Sequence, residues 1–212
     1  MKKRILSLAL SAAMALTMLP TGAFAASDKG KPPVYNKATG CYEISTPDQL
    51  LYLSGSWRDG APRDGHYVLT ADIDMTGVKG FKPIASKKDQ GFTGTFDGQF
   101  HAIKGLRVEY EKKYAGLFGY VGNQDDQAYI KDVALLDCYV TGQQNVGALA
   151  GVNYGTITGC VVTGEVKCLD LSNSHTAGGI CGKLKEGEGP IVGHVEDCYV
   201  NADVSAPYDA GG

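Results

Sequence analysis

Alternating apolar and polar positions dominate the chain from residue 67 onward. Every second side chain from Tyr67 to Met75 is apolar, which places these side chains on one face of an extended strand. That face comprises Tyr67, Leu69, Ala71, Ile73 and Met75. Residues 92–98 and 103–108 carry shorter extended patterns, and glycines interrupt each apolar run before a helical period can develop. The pattern predicts short β-strands joined by glycine turns, and an all-β fold beyond residue 67.

One short helix is predicted before these strands, over residues 47–54. Thr46 suits the N-cap position and Pro47 the first helical position, while Gln49 completes a capping box with Thr46. Leucines at 50, 51 and 53 form an apolar stripe, and Gly55 follows the helix. We expect no other helix in the mature chain.

Glycine-rich boxes recur along the second half of the chain. The segments 115–119, 147–151 and 178–182 share a pattern in which small and apolar residues lead to a closing glycine. The closing glycines are 32 and then 31 residues apart, and a fourth box begins at 210–212. Self-similarity at a fixed period of this length indicates a solenoid.

A second unit recurs between the boxes. Residues 157–162 match residues 195–200, each with an apolar residue, a cysteine three positions later and then valine; residues 130–135 form an earlier copy with valine in place of cysteine. A repeat of about 31 residues cannot close a core alone, so it buries its apolar face by stacking on its neighbours. We therefore predict a parallel β-solenoid whose equivalent side chains form ladders inside it. The predicted ladders are Leu117–Leu149–Ile180, Val133–Cys160–Cys198 and Leu135–Val162–Val200.

The first 25 residues have the layout of a secretory signal. A basic start at residues 2–4 precedes an apolar run from Ile5 to Leu19, and Ala23-Phe24-Ala25 supplies small residues at the cleavage site. We expect cleavage after Ala25. The predicted organisation is then a flexible leader over 26–42, an entry and capping segment over 43–113, and solenoid repeats over 114–212.

Charge excludes one class of partner. The formal net charge is −3, and removal of the three basic residues of the signal makes it −6. Phosphate backbones and anionic lipid surfaces repel such a chain at long range, so nucleic acid is disfavoured and no membrane insertion is expected after cleavage. Glycine is enriched, with 29 of 212 residues, without a collagen period.

All six cysteines lie in the mature chain, at positions 41, 138, 160, 168, 181 and 198. An even count in a secreted chain is compatible with disulfides, and 15 full pairings are possible. Cys160 and Cys198 occupy a ladder position that holds valine in the earlier copy, which favours packing as buried apolar side chains. Their oxidation state stays open.

The boxes and the units between them resemble GLUG-motif repeats. Residues 67–76, 81–84 and 92–98 are similar to the segment that often precedes such repeats, so the resemblance extends over about residues 43–212. It implies a right-handed parallel β-helix with one short N-terminal helix, in secreted or surface-attached bacterial proteins. Those proteins include adhesin-like chains, and some carry an immunoglobulin-A-peptidase type of domain. The repeats of that family supply no catalytic residues to transfer.

Signatures of common enzymes are missing from the sequence. The four histidines never pair at i, i+4, and neither a Gly-x-Ser-x-Gly elbow nor a P-loop occurs. The enzymatic alternative is a polysaccharide lyase or glycosidase, which needs clustered carboxylates. Its candidates are Asp72, Asp74, Asp97 and His101, and the first two could hold calcium. We expect Asp72 and Asp74 to be solvated and Asp97 to belong to a turn, so no catalytic or metal site and no cofactor are predicted.

The preferred interpretation is a secreted or cell-surface solenoid that serves as an adhesion, binding or display stalk. Its partner would be a host or neighbouring-cell protein or glycan, contacted through loops 121–129, 167–176 and 183–194 and through exposed tyrosines. The candidate tyrosines are Tyr110, Tyr114, Tyr120, Tyr129, Tyr139, Tyr154 and Tyr199. The second alternative is the N-terminal stalk of a larger surface enzyme such as a peptidase, since we expect further repeats or domains beyond Gly212.

Overall fold

A computed structural model describes residues 30–55, 61–170, 176–185, 191–207 and 209–211. The predicted signal lies outside these residues, as do parts of the loops predicted at 167–176 and 183–194. Within the described residues the fold is all-β with one α-helix, as predicted.

The α-helix, α1, has the predicted start. It spans Pro47–Leu53, one residue shorter than expected. Thr46 Oγ1 accepts a hydrogen bond from the Gln49 amide at 3.3 Å, and Gln49 Oε1 accepts one from the Thr46 amide at 3.2 Å. These reciprocal bonds satisfy two amides that the first helical turn leaves unpaired. Leu50, Leu51 and Leu53 are buried, so the leucine stripe fixes the helix against the core.

Twenty short strands and a 3₁₀ helix at Lys88–Gln90 make up the other regular elements of the described residues. The strands are β1 Val34–Asn36, β2 Cys41–Ile44, β3 His66–Leu69, β4 Ile73–Asp74, β5 Thr95–Asp97, β6 Ala102–Lys104, β7 Arg107–Glu109, β8 Lys113–Ala115, β9 Phe118–Val121, β10 Tyr129–Lys131, β11 Ala134–Gly142, β12 Gln144–Gly147, β13 Ala150–Asn153, β14 Thr156–Thr158, β15 Val161–Cys168, β16 Thr176–Gly178, β17 Cys181–Leu184, β18 His194–Glu196, β19 Tyr199–Ser205 and β20 Asp209–Gly211.

The strands form four sheets, and the chain visits them in the same order repeatedly. The first sheet has the order β1-β2-β3-β5-β10-β14-β18, and the second has β4-β6-β11-β15-β19 with β7 also paired to β11. The third is β8-β12-β16-β20 and the fourth β9-β13-β17. We call one passage through the sheets a coil: β5–β9, β10–β13, β14–β17 and β18–β20. All strand pairs are parallel except β1 with β2, so coils stack side by side.

All three predicted ladders are in register. Val133 aligns with Cys160 and Cys160 with Cys198, since the strand pairs on both sides of these residues share one register. Leu135 pairs with Val162 and Val162 with Val200, one residue from each of three coils. Leu117, Leu149 and Ile180 are buried at equivalent positions immediately before the pairs of Phe118 with Ala150 and Ala150 with Cys181. Residues at the same position of successive sequence repeats therefore lie side by side in neighbouring coils.

Two predicted strands are interrupted by bends. The strand predicted over 67–75 is β3 and β4, which belong to different sheets, with a bend at Ala71 between them. Residues 103–108 likewise divide into β6 and β7 around Gly105, whose φ is +66°. The apolar alternation continues through the first bend, where Leu69 and Ile73 are both buried, and shifts by one residue at Gly105, where Ile103 and Leu106 are both buried.

The region predicted as a flexible leader contains a β-hairpin. β1 and β2 pair antiparallel, with Val34 opposite Glu43. Asn36 holds the turn, since its Oδ1 accepts from the Ala38 amide at 2.9 Å and its Nδ2 donates to Glu43 at 2.7 Å. β2 then pairs with β3 and so joins the first sheet. The hairpin was not predicted because a polar side chain, Asn36, stabilises its turn, whereas the strands were predicted from alternating apolar residues.

The boundary predicted between residues 113 and 114 falls inside β8. Parallel pairing continues on both sides of it, because β5 and β6 of the entry segment pair with β10 and β11 of the repeats. The entry segment is thus part of the same coil stack.

The glycine boxes lie at the corners between the third and fourth sheets. None of the glycines of these boxes that the structure describes has a positive φ. Close approach of neighbouring coils requires them instead: a Cβ on Gly182 would lie 2.2 Å from the carbonyl carbon of Asn145 and 2.3 Å from the Val146 nitrogen. An added methyl group at this corner would therefore overlap the backbone of the adjacent coil.

Corners between the first and second sheets use left-handed residues. Asp132, Gly159 and Asp197 occupy equivalent positions in successive coils, with φ of 53°, 64° and 50°. Aspartate tolerates this conformation better than most side chains do, since its short polar group can bond locally. The corner is therefore conserved in geometry between coils although its residue type changes.

Candidate binding surface

The structure brings together two of the four candidate enzymatic residues. Asp72 Oδ1 lies 3.1 Å from His101 Nδ1 and also accepts a hydrogen bond from the Ala102 amide at 2.9 Å. The Asp72 side chain is 16% exposed and that of His101 is 34% exposed. The expectation of a solvated Asp72 was wrong, because the carboxylate links β4 to the start of β6.

The other two carboxylates have separate local partners. Asp74 Oδ1 accepts from the Thr76 amide at 2.9 Å. Asp97 accepts from the Gln99 amide at 2.9 Å and forms an ion pair with Lys131 at 2.7 Å, which raises the pKa of the lysine. In the part of the chain that the structure describes, no group of three or more metal-ligating side chains is arranged to hold an ion.

At the corner between the first and second sheets, the carboxylate of Asp132 has a raised pKa. Burial raises the pKa of Asp132, the negative charge of Asp97 raises it further, and Lys131 partly opposes both effects. The raised pKa follows from the corner geometry, which holds this residue between coils.

A polar stripe crosses the outer face of the second sheet. Arg107, Tyr139 and Glu165 are register partners on β7, β11 and β15. The Arg107 guanidinium lies 4.1 Å from the Tyr139 ring centroid, and the Lys167 ammonium lies 5.8 Å from it. Two cations therefore flank the tyrosine, at distances typical of cation–π contacts.

Carboxylates in turn hold these cations. Arg107 forms an ion pair with Glu109 at 2.8 Å, and Lys167 forms one with Glu165. The hydrogen bond to Glu109 raises the pKa of Arg107, and the same bond lowers the pKa of Glu109. Since these groups are exposed, the two ion pairs add little to stability, and each involves a cation that lies near the Tyr139 ring.

Beside this stripe lies a groove of about 790 Å³, here called the Tyr139 groove. It crosses three consecutive coils at the corner between the second and third sheets, where residues far apart in sequence meet. The residues that line it are Glu109, Tyr110, Glu111, Tyr139, Thr141, Gln143, Leu169 and Asp170. Carboxylate, amide and hydroxyl groups alternate there with aromatic and apolar surface.

The loop predicted at 121–129 forms a second, smaller groove of about 210 Å³. Asn123 orders the loop, because its Oδ1 accepts from the amides of Asp125 and Asp126 at 2.7 and 2.8 Å. The lining residues are Arg63, Lys88, Asp89, Asn123, Gln124, Asp125, Asp126 and Tyr154. This groove carries both signs of charge, whereas the carboxylates are the charged groups that line the Tyr139 groove.

The candidate tyrosines separate into exposed and packed groups. Tyr129 and Tyr199 are 47% and 41% exposed. Tyr120 and Tyr154 are buried in a cluster on the outside of the fourth sheet, and the ring of Tyr120 lies 4.8 Å from that of Tyr114. Burial, followed by a hydrogen bond to Tyr114, raises the pKa of Tyr120. These three tyrosines pack on the coils and leave little ring surface for a ligand.

Searches against known proteins find similarity to long chains. The sequence is 32% identical over 151 residues to "Halomucin" from Haloquadratum walsbyi, covering 66% of this chain and 2% of halomucin. It is 33% identical over 101 residues to a "Putative Gly-rich membrane protein" from Evansella cellulosilytica, covering 43% of this chain and 11% of that protein. This chain thus spans a small part of either relative. No family model matches the sequence.

A solved structure shares the fold. It is described as a "putative immunoglobulin A1 protease from Bacteroides ovatus", with a TM-score of 0.59 and 24% sequence identity over 76% of this chain and 47% of that one. Among the described residues, the single α-helix is too short to cross a membrane.

Proposed function

We propose that this chain belongs to a secreted or cell-surface protein in which the coils form a right-handed parallel β-helix of GLUG-type repeats. Its function is non-catalytic: the coil stack is a stalk that presents a binding surface to a glycan or protein of another cell. The repeated parallel register supports the stalk, and the length of both relatives is consistent with a segment of a large protein.

The Tyr139 groove carries the proposal, because it exists only where three coils are stacked. Its carboxylates, amide and hydroxyl can accept or donate hydrogen bonds to sugar hydroxyls, and the exposed Leu169 adds apolar contact. Its acidic side chains disfavour sulfated and phosphorylated polymers. The expected ligand is therefore a neutral or amino-sugar glycan.

A matched pair of glutamine variants tests this assignment. Gln143→Ala removes an exposed amide from the Tyr139 groove, whereas Gln124→Ala removes an exposed amide from the smaller groove. Binding to an immobilised panel of neutral, amino-sugar and anionic glycans is measured for each. We expect Gln143→Ala to weaken the best neutral or amino-sugar ligand about threefold to tenfold, as loss of one hydrogen bond would, with Gln124→Ala unchanged.

Weaker binding in Gln124→Ala alone would assign the ligand to the loop at 121–129 and contradict the Tyr139 groove. Absence of glycan binding by the wild type would refute the glycan assignment.

The paired Asp72 and His101 provide the specific observation in favour of a carbohydrate-active enzyme. The two interpretations differ in turnover. We expect no reducing-end or unsaturated product from any polysaccharide in the panel. If the wild type forms such a product and Asp72→Asn abolishes it, the chain is a carbohydrate-active enzyme and the non-catalytic proposal is wrong.

A further inference from the structure

Cys160 and Cys198 are neighbours on adjacent coils. The register pairs Thr158 with Glu196 on one side of them and Val161 with Tyr199 on the other, so the two cysteines are also aligned. Adjacent strands of a sheet lie about 4.8 Å apart, and disulfides join residues whose Cα atoms are about 4.4–6.8 Å apart. The coil spacing thus brings the pair within the range for a covalent bond without a change of register.

Their thiols interact directly and are unequally accessible. Cys160 is fully buried, whereas Cys198 is partly exposed in the following coil. Interaction with the Cys198 thiol raises the pKa of Cys160, and interaction with the Cys160 thiol lowers the pKa of Cys198. The Cys160 sulfur also donates to the Thr158 carbonyl at 3.3 Å, and the Cys198 sulfur donates to the Glu196 carbonyl at 3.2 Å. Cys198 is therefore the thiol that loses its proton first and that a reagent in solvent can reach. Cys160 is the buried neighbour that can react with it next.

The other cysteines do not share this arrangement. Burial raises the pKa of Cys138 to about 12. Burial, followed by the charge of Cys198, raises the pKa of Cys181 to about 11, and Cys181 pairs in register with Ala150 of the fourth sheet instead of with a cysteine. Cys41 lies in the N-terminal hairpin and Cys168 at the end of β15.

We propose that Cys160 and Cys198 form a disulfide that fastens the β18–β19 coil to the coil before it. The oxidant is a low-molecular-weight disulfide: the Cys198 thiolate attacks it, forms a mixed disulfide and releases one small thiol. Cys160 then gives up its proton, attacks the Cys198 sulfur and releases the second small thiol. The protein loses two thiol hydrogens and the reagent gains them.

Whether the disulfide exists in the living organism depends on the proposed secretion, because an oxidising compartment would preserve it. Its chemistry is a property of the folded chain and can be tested on purified protein. The two failures are therefore distinguishable.

The experiment treats folded, purified protein with oxidised glutathione and counts free thiols before and after. We expect a loss of two thiols and, after proteolysis, a cross-linked peptide pair containing Cys160 and Cys198. Loss of no thiols, stable glutathione adducts, or a Cys181–Cys198 cross-link would overturn the proposal. This measurement needs no variant.

Variants provide an independent measurement. Valine occupies the equivalent position in the preceding coil, at Val133, so Cys160→Val fits the ladder. The oxidised wild type should melt roughly 5–10 °C above its reduced form, because the bond closes a loop whose ends are 38 residues apart. Cys160→Val should lose this difference, and Cys138→Val, the matched control, should keep it. A difference that persists in Cys160→Val would contradict the assigned pair.

Discussion

Leu149 provides the sharpest test of the packing between coils. Its side chain is fully buried, and the equivalent residues of the coils before and after it are Leu117 and Ile180. The Leu149 amide donates to the Ile180 carbonyl at 2.9 Å, a bond that Leu149→Ala leaves in place. The substitution therefore removes side-chain packing while it preserves the backbone connection between the coils.

The expected cost follows from that burial. Replacing a fully buried leucine by alanine removes apolar contacts and leaves a cavity, and comparable substitutions destabilise by about 3–5 kcal/mol. Because residues above and below Leu149 belong to other coils, the surrounding structure has little freedom to collapse into the space. We expect a loss of about 3–4 kcal/mol in the free energy of unfolding.

Urea unfolding followed by circular dichroism measures this loss, with Leu169→Ala as the matched control. Leu169 is 58% exposed, and its truncation should change the free energy of unfolding by less than about 0.5 kcal/mol. A cost below about 1 kcal/mol for Leu149→Ala would refute the inference that this ladder is the packed interior of the stack.

Three further predictions concern backbone, charge and export. Gly182→Ala should destabilise the protein by about 1–3 kcal/mol in the same urea assay, because the new Cβ would overlap the backbone of the preceding coil. Gly211→Ala, which has no atom within 4 Å of the added Cβ, should be nearly neutral. Equal effects of the two substitutions would contradict the close approach of the coils. Asp132→Asn should raise stability by about 0.5 kcal/mol at pH 7: the raised pKa of Asp132 means that folding is penalised when the group is ionised, so the gain should disappear as the pH falls below about 4. A gain that grows in acid would contradict this sign. Residues 1–25 should direct export with cleavage after Ala25, checked by N-terminal sequencing of the secreted chain, and retention of an uncleaved chain would contradict the signal.

The ladders could be predicted because the stacking of parallel coils places residues of one sequence period side by side. Leu135, Val162 and Val200 recur at matching positions of the repeat, and stacking places them side by side. The glycine boxes were also located correctly. Their glycines allow close approach between coils, and none of the described ones has a positive φ.

The corners were harder to predict from one sequence. Asp132 and Asp197 adopt the left-handed conformation that Gly159 adopts in the coil between them. The signal was present in the alignment of the repeats, where aspartate alternates with glycine, but aspartate alone indicates a turn without specifying its geometry. The hairpin of β1 and β2 was not predicted for a similar reason: Asn36 stabilises its turn, but one asparagine in a sequence does not specify a hairpin.

The Tyr139 groove could not be predicted from local patterns. Glu109, Thr141 and Leu169 belong to three coils, and each lies near the end of a strand where the chain turns into the next sheet. Their proximity depends on the exact register of coils and on the shape of the corner. The pair of Asp72 with His101 depends on the same register, because β4 and β6 are parallel neighbours.

The central claim is that the coils stack in register at a constant spacing. Spin labels on outward positions of the first sheet test it directly, since His66, Thr95, Tyr129, Thr156 and His194 are successive register partners. In a background free of native cysteines, labels at Thr95 and His194 should be about 14 Å apart and labels at His66 and His194 about 19 Å apart, one strand spacing more. Distances that do not increase by one spacing per coil would contradict the stacked structure and, with it, the proposed binding surface.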